Sequence, residues 1–174
     1  MPQEQKDRLQ IMQREGCAPA GPDQDARLLD EVCRTLRERA QSTPINTNAG
    51  KGKNFWAHLL HEEDRSSGSP FLRLAMQPSV LAMACGYFGE APYLAGIEVY
   101  LSHGTHNDRW QEAPLWHRDY DDQKMFKLFV YCTDVNDERD GEFTFVPKNV
   151  SDTVRGEFFP KRISDENMAK QIDM

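Results

Sequence analysis

The chain changes character at Pro92, and this change restricts the possible folds more than any other feature of the sequence. Before Pro92, apolar residues recur three and four positions apart, which places them on one face of a helix. The clearest such set is Leu28, Leu29, Val32 and Leu36. After Pro92, β-branched and aromatic residues recur in short runs separated by turn sequences, which favours strands. Helices followed by hairpin-linked strands predict an α+β fold with an antiparallel sheet.

This division predicts a mainly helical part, residues 1–91, and a mainly β part, residues 92–174, within one structural domain. The predicted helices run from Asp23 as N-cap to about Ala40, from Phe55 to Glu63, from Phe71 to Phe88 with a break at Pro78, and from Ser164 to Ile172. The predicted strands are Ile97–Leu101, Leu115–Asp119, Met125–Thr133 and Phe143–Val146. Met125–Thr133 is apolar on both faces and needs cover on both. The N-terminal helices can cover one face of this sheet. If nothing covers the other face, we expect the chain to self-associate or to be marginally stable.

Composition excludes several classes of function. Basic residues number 21 and acidic residues 28, a formal net charge of −7, so a nucleic-acid partner, which needs a basic surface, is not expected. No run approaches the roughly 20 apolar residues of a membrane span, and the polar N-terminus lacks the apolar run of a secretory signal. The four cysteines have no CxxC spacing, which indicates free thiols in a reducing compartment. We therefore expect a cytoplasmic protein.

The segment with the clearest chemical content is Trp116-His117-Arg118-Asp119. Residues two apart on a strand point to the same face, so His117 and Asp119 would present an imidazole and a carboxylate side by side. These are two of the three ligands in the two-histidine, one-carboxylate triad, which holds non-haem Fe(II) and leaves positions open for an oxoacid and O₂. A surface histidine and aspartate near a turn would have the same spacing, and that interpretation stays open.

The residues around this motif, 115–147, read LWHRDYDDQKMFKLFVYCTDVNDERDGEFTFVP. They resemble the core of the phytanoyl-CoA dioxygenase family of Fe(II)/2-oxoglutarate oxygenases, in which an HxD strand, a hydrophobic strand, an acidic turn, a glycine and an aromatic strand follow one another. The preceding IEVYLSHG run is similar to the strand that leads into this core, so the likeness covers residues 93 to 147. The resemblance implies N-terminal helices packed on a jelly roll (a double-stranded β-helix), Fe(II) held by His117 and Asp119, 2-oxoglutarate as co-substrate, and hydroxylation of a small-molecule substrate.

The chain departs from the family pattern after this core. Pro147-Lys148-Asn149-Val150 stands where the family has "P-G-S-H", and no histidine follows Asp119. The family's second histidine ligand and its 2-oxoglutarate-binding arginine therefore have no counterpart at the family's spacing. We expect an incomplete jelly roll: either a piece of a longer oxygenase or a homologue without its second half, acting as a catalytically inactive binding module.

Five further residues have two interpretations each. The resemblance implies that Lys127, on the strand after the HxD motif, binds a carboxylate of 2-oxoglutarate, whereas a lysine at a sheet edge would simply extend to solvent. His103 and His106 would supply a substitute third ligand in a cupin-like metal protein, or lie in a solvated loop. His58 and His61 would share one helix face as a weak zinc pattern, or be ordinary surface histidines.

Overall fold

The computed structural model describes residues 1–21, 24–44, 56–102, 115–119, 122–136, 140–154 and 162–172. Its helices are α1 (Gln3–Glu15), α2 (Ala26–Ser42), α3 (Pro70–Ala75), α4 (Pro78–Phe88), α5 (Lys148–Ser151) and α6 (Asp165–Ile172). Two short strands, β1 (Trp56–His58) and β2 (Tyr100–Ser102), pair antiparallel, and a 3₁₀ turn spans Glu62–Arg65. The described residues therefore form an α+β fold with a two-stranded sheet.

Helix α2 lies at the centre of the hydrophobic core. Its N-terminus is capped by Asp25, whose carboxylate accepts hydrogen bonds from the backbone N–H groups of Arg27 and Leu28. The predicted cap, Asp23, lies outside the described residues, and the helix begins at Ala26 because Asp25 takes that role. The core residues are Leu28, Val32, Leu36, Leu59, Phe71 and Leu74. The predicted apolar face of α2 is thus the face that packs.

A buried ion pair joins the end of α2 to the 3₁₀ turn. The Arg39 guanidinium donates through Nη1 and Nη2 to the two carboxylate oxygens of Asp64, at 2.5 and 3.0 Å. The Asp64 side chain is only 6% exposed and that of Arg39 19%, and the backbone N–H of His61 also donates to Asp64, at 2.6 Å. The hydrogen bonds from Arg39 hold the pKa of Asp64 below its usual range, although burial opposes this shift. The carboxylate is therefore ionised at neutral pH.

Strand β1 occupies part of the segment Phe55–Glu63, for which the pattern predicts a helix. His58 pairs with Tyr100 of β2 in the antiparallel ladder, so the helix prediction was wrong there. Its backbone hydrogen bonds go to a strand some forty positions away, which no local pattern reveals. The predicted strand Ile97–Leu101 is confirmed only at its C-terminal end, where it overlaps β2.

The predicted helix from Phe71 to Phe88 with a break at Pro78 is confirmed as the pair α3 and α4. The side chain of Ser69 caps α3 by accepting a hydrogen bond from a backbone N–H of the first turn. Gly89 ends α4 with φ 81°, a left-handed conformation that glycine adopts without steric cost. These caps explain why local signals were sufficient for this part of the chain.

Two of the remaining helices pack against each other. Helix α1 lies against α4, and Leu9 Cδ2 is 2.7 Å from the position that a Cβ would take on Gly86, so a side chain at position 86 would displace that of Leu9. The predicted C-terminal helix from Ser164 to Ile172 is confirmed as α6. Within the described part of the chain, no helix has the length and apolar character needed to cross a membrane.

The predicted strand Leu115–Asp119 has only an isolated bridge at Trp116, and the predicted strands Met125–Thr133 and Phe143–Val146 form neither strand nor helix. The strand predictions there were wrong, because a strand needs a hydrogen-bonding neighbour as well as β propensity. Their aromatic side chains lie at the surface. Phe129 is 55% exposed and Phe143 47%, and the two rings stack with centroids 4.5 Å apart.

We expect this exposed aromatic cluster, defined as Phe129, Phe143 and Phe145, to drive self-association, since contiguous apolar surface of this kind marks contact sites. Sedimentation velocity from about 10 to 200 μM should show a sedimentation coefficient that rises with concentration. The double variant Phe129→Ser/Phe143→Ser should sediment as a monomer, whereas Tyr93→Ser, at an exposed aromatic outside the cluster, should behave like wild type. A wild-type monomer throughout this range would contradict the expectation.

Candidate functional site

Hydrogen bonds connect the HxD segment, Trp116–Asp119, to the two C-terminal helices and to the residues beside them. Trp116 and Ile163 exchange two backbone hydrogen bonds, at 3.0 and 2.8 Å, in an isolated antiparallel bridge. The indole N–H of Trp116 donates to Oδ1 of Asp165, the first residue of α6, at 2.7 Å. Arg118 donates to the backbone carbonyl of Ser151, the last residue of α5. Trp116 is thus anchored to α6 and Arg118 to α5.

The two residues predicted as ligands, His117 and Asp119, lie side by side. His117 Nε2 is 3.6 Å from Asp119 Oδ1, and the side chains are 33% and 39% exposed. His117 Nδ1 lies 2.6 Å from the carbonyl oxygen of Leu115. Because a carbonyl oxygen only accepts, Nδ1 carries the proton of this hydrogen bond, and Nε2 is the nitrogen that faces the carboxylate.

The other carboxylate oxygen of Asp119 is paired with a lysine. Lys127 Nζ lies 2.6 Å from Asp119 Oδ2. The Lys127 side chain therefore forms an ion pair with Asp119. Neither of the two interpretations of Lys127 from the sequence included this contact. Because Lys127 takes Oδ2, Oδ1 is the oxygen directed at His117.

The space between His117 Nε2 and Asp119 Oδ1 fits a cation. With a neutral imidazole, two acceptor atoms face each other across 3.6 Å, which is unfavourable unless a proton or a metal ion lies between them. Donors about 2.1 Å from a shared ion stand about 3.0 Å apart at a right angle and about 3.4 Å apart in tetrahedral geometry. The observed separation needs only a small adjustment. The hydrogen bond from Nδ1 to a backbone carbonyl is also what metal-ligating histidines usually make.

Two donors do not by themselves complete a metal centre. Among the residues that the structure describes, no group of three histidine, cysteine, aspartate or glutamate side chains is placed to hold an ion. His103 and His106, the substitute ligands considered from the sequence, lie outside the described residues. The donor set is therefore one imidazole nitrogen and one carboxylate oxygen, which suits a divalent iron when further ligands complete the coordination.

His58 and His61 do not share a helix face. His58 lies on β1, where its ring packs against that of Tyr100 with centroids 4.6 Å apart, and His61 precedes the 3₁₀ turn, 3.4 Å from Glu63. The helix that the zinc pattern requires is absent at this place. Burial and a hydrogen bond to Glu98 raise the pKa of Tyr100 to about 12, so this hydroxyl is neutral at physiological pH.

An open cleft of about 590 Å³ is lined by apolar residues that include Leu72, Leu94 and Ile97, together with His58 of β1 and Arg65. No residue of the HxD segment lines it. The cleft and the His117–Asp119 pair are therefore separate features of the molecule.

The sequence pattern missed two contacts that the structure makes. Lys127 reaches Asp119, and Cys33 on α2 lies beside residues 131–132, with its Sγ 4.0 Å from the carbonyl oxygen of Tyr131. Burial, followed by the neighbouring Cys33 thiol, raises the pKa of Cys132 to about 12. The first contact joins residues eight positions apart, and the second joins residues from opposite halves of the chain. Neither spacing matches a local motif, so no sequence signal pointed to them.

Comparisons with known proteins add no relative. No family model matches the chain, and no curated protein or solved structure matches it either. The resemblance to the phytanoyl-CoA dioxygenase family therefore rests on the motif and strand pattern of residues 93 to 147.

Proposed function

We propose that this chain carries the iron-binding His117–Asp119 pair of a non-haem Fe(II)/2-oxoglutarate dioxygenase of the phytanoyl-CoA dioxygenase type. The observation that carries the proposal is the convergence of His117 Nε2 and Asp119 Oδ1, 3.6 Å apart, at an HxD motif. Bound iron would supply the activation of O₂, coupled to decarboxylation of 2-oxoglutarate to succinate and CO₂, that hydroxylates a small-molecule substrate.

The residues around the pair have separate parts in this proposal. His117 offers the Nε2 lone pair, and the Leu115 carbonyl holds the ring in the required orientation through Nδ1. Asp119 offers an anionic oxygen, Oδ1. Lys127 places a positive charge beside the site, which attracts the dianionic oxoacid and, in this proposal, pairs with one of its carboxylates. The partial exposure of both ligands gives small molecules access to the pair.

The proposal also assigns the second half of the chain to an incomplete jelly roll. The antiparallel bridge between Trp116 and Ile163 is the kind of pairing that such a sheet requires. The exposed aromatic cluster is the apolar surface that a facing sheet would cover. Both observations support a jelly roll. Neither requires Met125–Thr133 or Phe143–Val146 to form strands in this chain on its own.

A catalytically inactive jelly-roll homologue that acts as a binding module is the second candidate. The observation that favours it is the ligand count: every histidine of the chain lies at or before His117, and the described residues hold no third ligand. Lys127 would then be the counter-ion of Asp119 in a metal-free site. Metal binding distinguishes the two candidates.

The test is Mn(II) binding, as a stand-in for Fe(II), measured by water-proton relaxation with the full chain, with and without 2-oxoglutarate. Two protein ligands should bind the ion only weakly, with a Kd of about 1 mM or higher. Adding 2-oxoglutarate should tighten binding about tenfold or more, because the oxoacid supplies two additional donors to the same ion. His117→Ala and Asp119→Ala should each abolish this enhancement.

His61→Asn is the matched control, because it removes an exposed histidine far from the pair in sequence and should leave binding unchanged. Lys127→Met should strengthen Mn(II) binding in the absence of 2-oxoglutarate, since the competing ammonium is removed, and should weaken the enhancement by 2-oxoglutarate. No Mn(II) binding at 10 mM, a concentration about tenfold above the expected Kd, would support the binding module. Binding that survives His117→Ala would contradict the proposed site.

A further inference from the structure

Two cysteines from opposite halves of the chain meet at the buried face of α2. Cys33 lies on α2 and is 6% exposed, and Cys132 packs against the core cluster to which α2 contributes. Two backbone contacts hold the partner segment in place: Cys33 Sγ lies 4.0 Å from the carbonyl oxygen of Tyr131, and Arg37 Nε donates to the carbonyl oxygen of Cys132 at 2.8 Å. These contacts anchor residues 131–132 to α2 and hold Cys132 close to Cys33.

We propose that Cys33 and Cys132 are a modification site: under oxidising conditions they form a reversible disulfide that fastens the segment Met125–Thr133 to α2. In the described structure this segment has no strand ladder, and the anchor described above holds its C-terminal end to α2. Lys127, at its other end, is the partner of Asp119. The disulfide would thus fix the position of the segment that reaches the His117–Asp119 pair, but its formation does not depend on iron binding there.

The oxidant is a hydroperoxide, and hydrogen peroxide is the simplest case. Cys132 is the more exposed of the two thiols, so its thiolate attacks the peroxide: an S–O bond forms, the O–O bond breaks, and water leaves. The Cys33 sulfur then attacks the Cys132 sulfenic acid, an S–S bond forms, the S–O bond breaks, and a second water leaves with the Cys33 proton. Two thiols lose two electrons in total, and one peroxide gains them.

The other two cysteines provide an internal control. Cys17 and Cys85 are free thiols, and in the described residues neither contacts another thiol. Burial keeps the Cys132 thiol largely protonated, so we expect oxidation over hours with millimolar peroxide rather than within seconds. The ring closed by the bond spans about 100 residues, which restricts the unfolded chain and should raise Tm by about 10 °C.

The experiment treats the full chain with hydrogen peroxide for a day, removes the oxidant, denatures the protein, alkylates the remaining thiols and maps the peptides by mass spectrometry. We expect two of the four cysteines to be alkylated and one linked peptide that joins Cys33 to Cys132. The variant Cys17→Ser/Cys85→Ser should still form the link. Cys132→Ser, a change at the partly exposed member, should abolish it, and Cys33→Ser should do the same.

Thermal unfolding of the oxidised protein, with and without a reductant, is the second measurement, and the gain in Tm should disappear on reduction. Four alkylated cysteines, a link through Cys17 or Cys85, a link between two copies of the chain, or sulfinic acid at Cys132 without a link would each overturn the proposal. A Cys33–Cys132 link without a rise in Tm would overturn the claim that it fastens the segment.

Discussion

Replacing Asp64 with asparagine is expected to lower the free energy of unfolding by about 3 kcal/mol, because it leaves a largely buried guanidinium without its counter-charge. Arg39 Nη1 lies 2.5 Å from Asp64 Oδ2, and the carboxylate side chain is only 6% exposed. The same carboxylate accepts the backbone N–H of His61. The amide keeps the size of the side chain and one acceptor oxygen, so the loss reports mainly the missing charge.

Urea unfolding measures this loss as a shift in the midpoint at constant slope. Glu62→Gln is the matched control, since it makes the same chemical change at an exposed position of the same 3₁₀ turn, and it should alter stability by less than about 0.5 kcal/mol. Equal effects of the two substitutions would mean that the Arg39–Asp64 pair contributes no more than an ordinary surface charge.

The same carboxylate should make stability depend on pH in the acid range. Hydrogen bonds from Arg39 lower the pKa of Asp64 in the folded chain, whereas in the unfolded chain it is about 3.9. A lowered folded pKa gives a contribution that is complete above the unfolded pKa and is lost as the pH falls towards the folded value. The difference between wild type and Asp64→Asn should therefore be constant from about pH 7 to pH 5 and should narrow below about pH 4.

Replacing Phe71 with alanine is expected to cost about 3–5 kcal/mol, the usual range for a buried phenylalanine. Phe71 is 4% exposed and belongs to the core cluster around α2, so its removal leaves a cavity. Phe129→Ala is the control, because that ring is mostly exposed and its loss should change stability by less than about 0.5 kcal/mol. Urea unfolding of both variants, at a concentration where neither self-associates, gives the comparison.

The two large effects should not add independently. The Arg39 guanidinium lies over the Phe71 ring, 5.6 Å from its centroid, and also pairs with Asp64, so both substitutions change the surroundings of the same cation. The double variant should show a coupling energy of about 0.5 kcal/mol or more. Strict additivity would contradict a shared role for Arg39.

The helices with strong local signals were predictable from sequence. Ser69 and Pro70 mark the start of α3, Pro78 marks the start of α4, and Gly89 marks its end. These residues act within one helical turn of their own position, so a single sequence carries the information. The same holds for the apolar face of α2, although its cap is two residues later than predicted.

The strand predictions failed where pairing had to be non-local. Met125–Thr133 has high β propensity, but in the described structure no neighbouring strand accepts its hydrogen bonds. Conversely, β1 forms in a segment with a helical pattern, because β2 pairs with it. β propensity shows only that the residues of a segment are compatible with a strand. Whether the strand forms depends on which other segment lies close enough to pair with it.

The candidate site was also predictable from the sequence only in part. The spacing of two predicted that His117 and Asp119 lie side by side, as they do, although of the strand assumed for that prediction only an isolated bridge at Trp116 forms. The bond from Lys127 to Asp119 and the bridge from Trp116 to Ile163 depend on how distant segments pack, and no motif encodes them. The contact with Lys127 decides which carboxylate oxygen of Asp119 faces the imidazole.

The most direct test of the account is whether His117 and Asp119 bind one metal ion together. In imidazole ¹H–¹⁵N spectra of the full chain with 2-oxoglutarate, substoichiometric Mn(II) should broaden the His117 resonances at the lowest concentration, while those of His58 and His61 stay sharp. The same addition to Asp119→Asn should leave His117 sharp. Sharp His117 signals in the wild type, or broadening that persists in Asp119→Asn, would contradict the shared metal site.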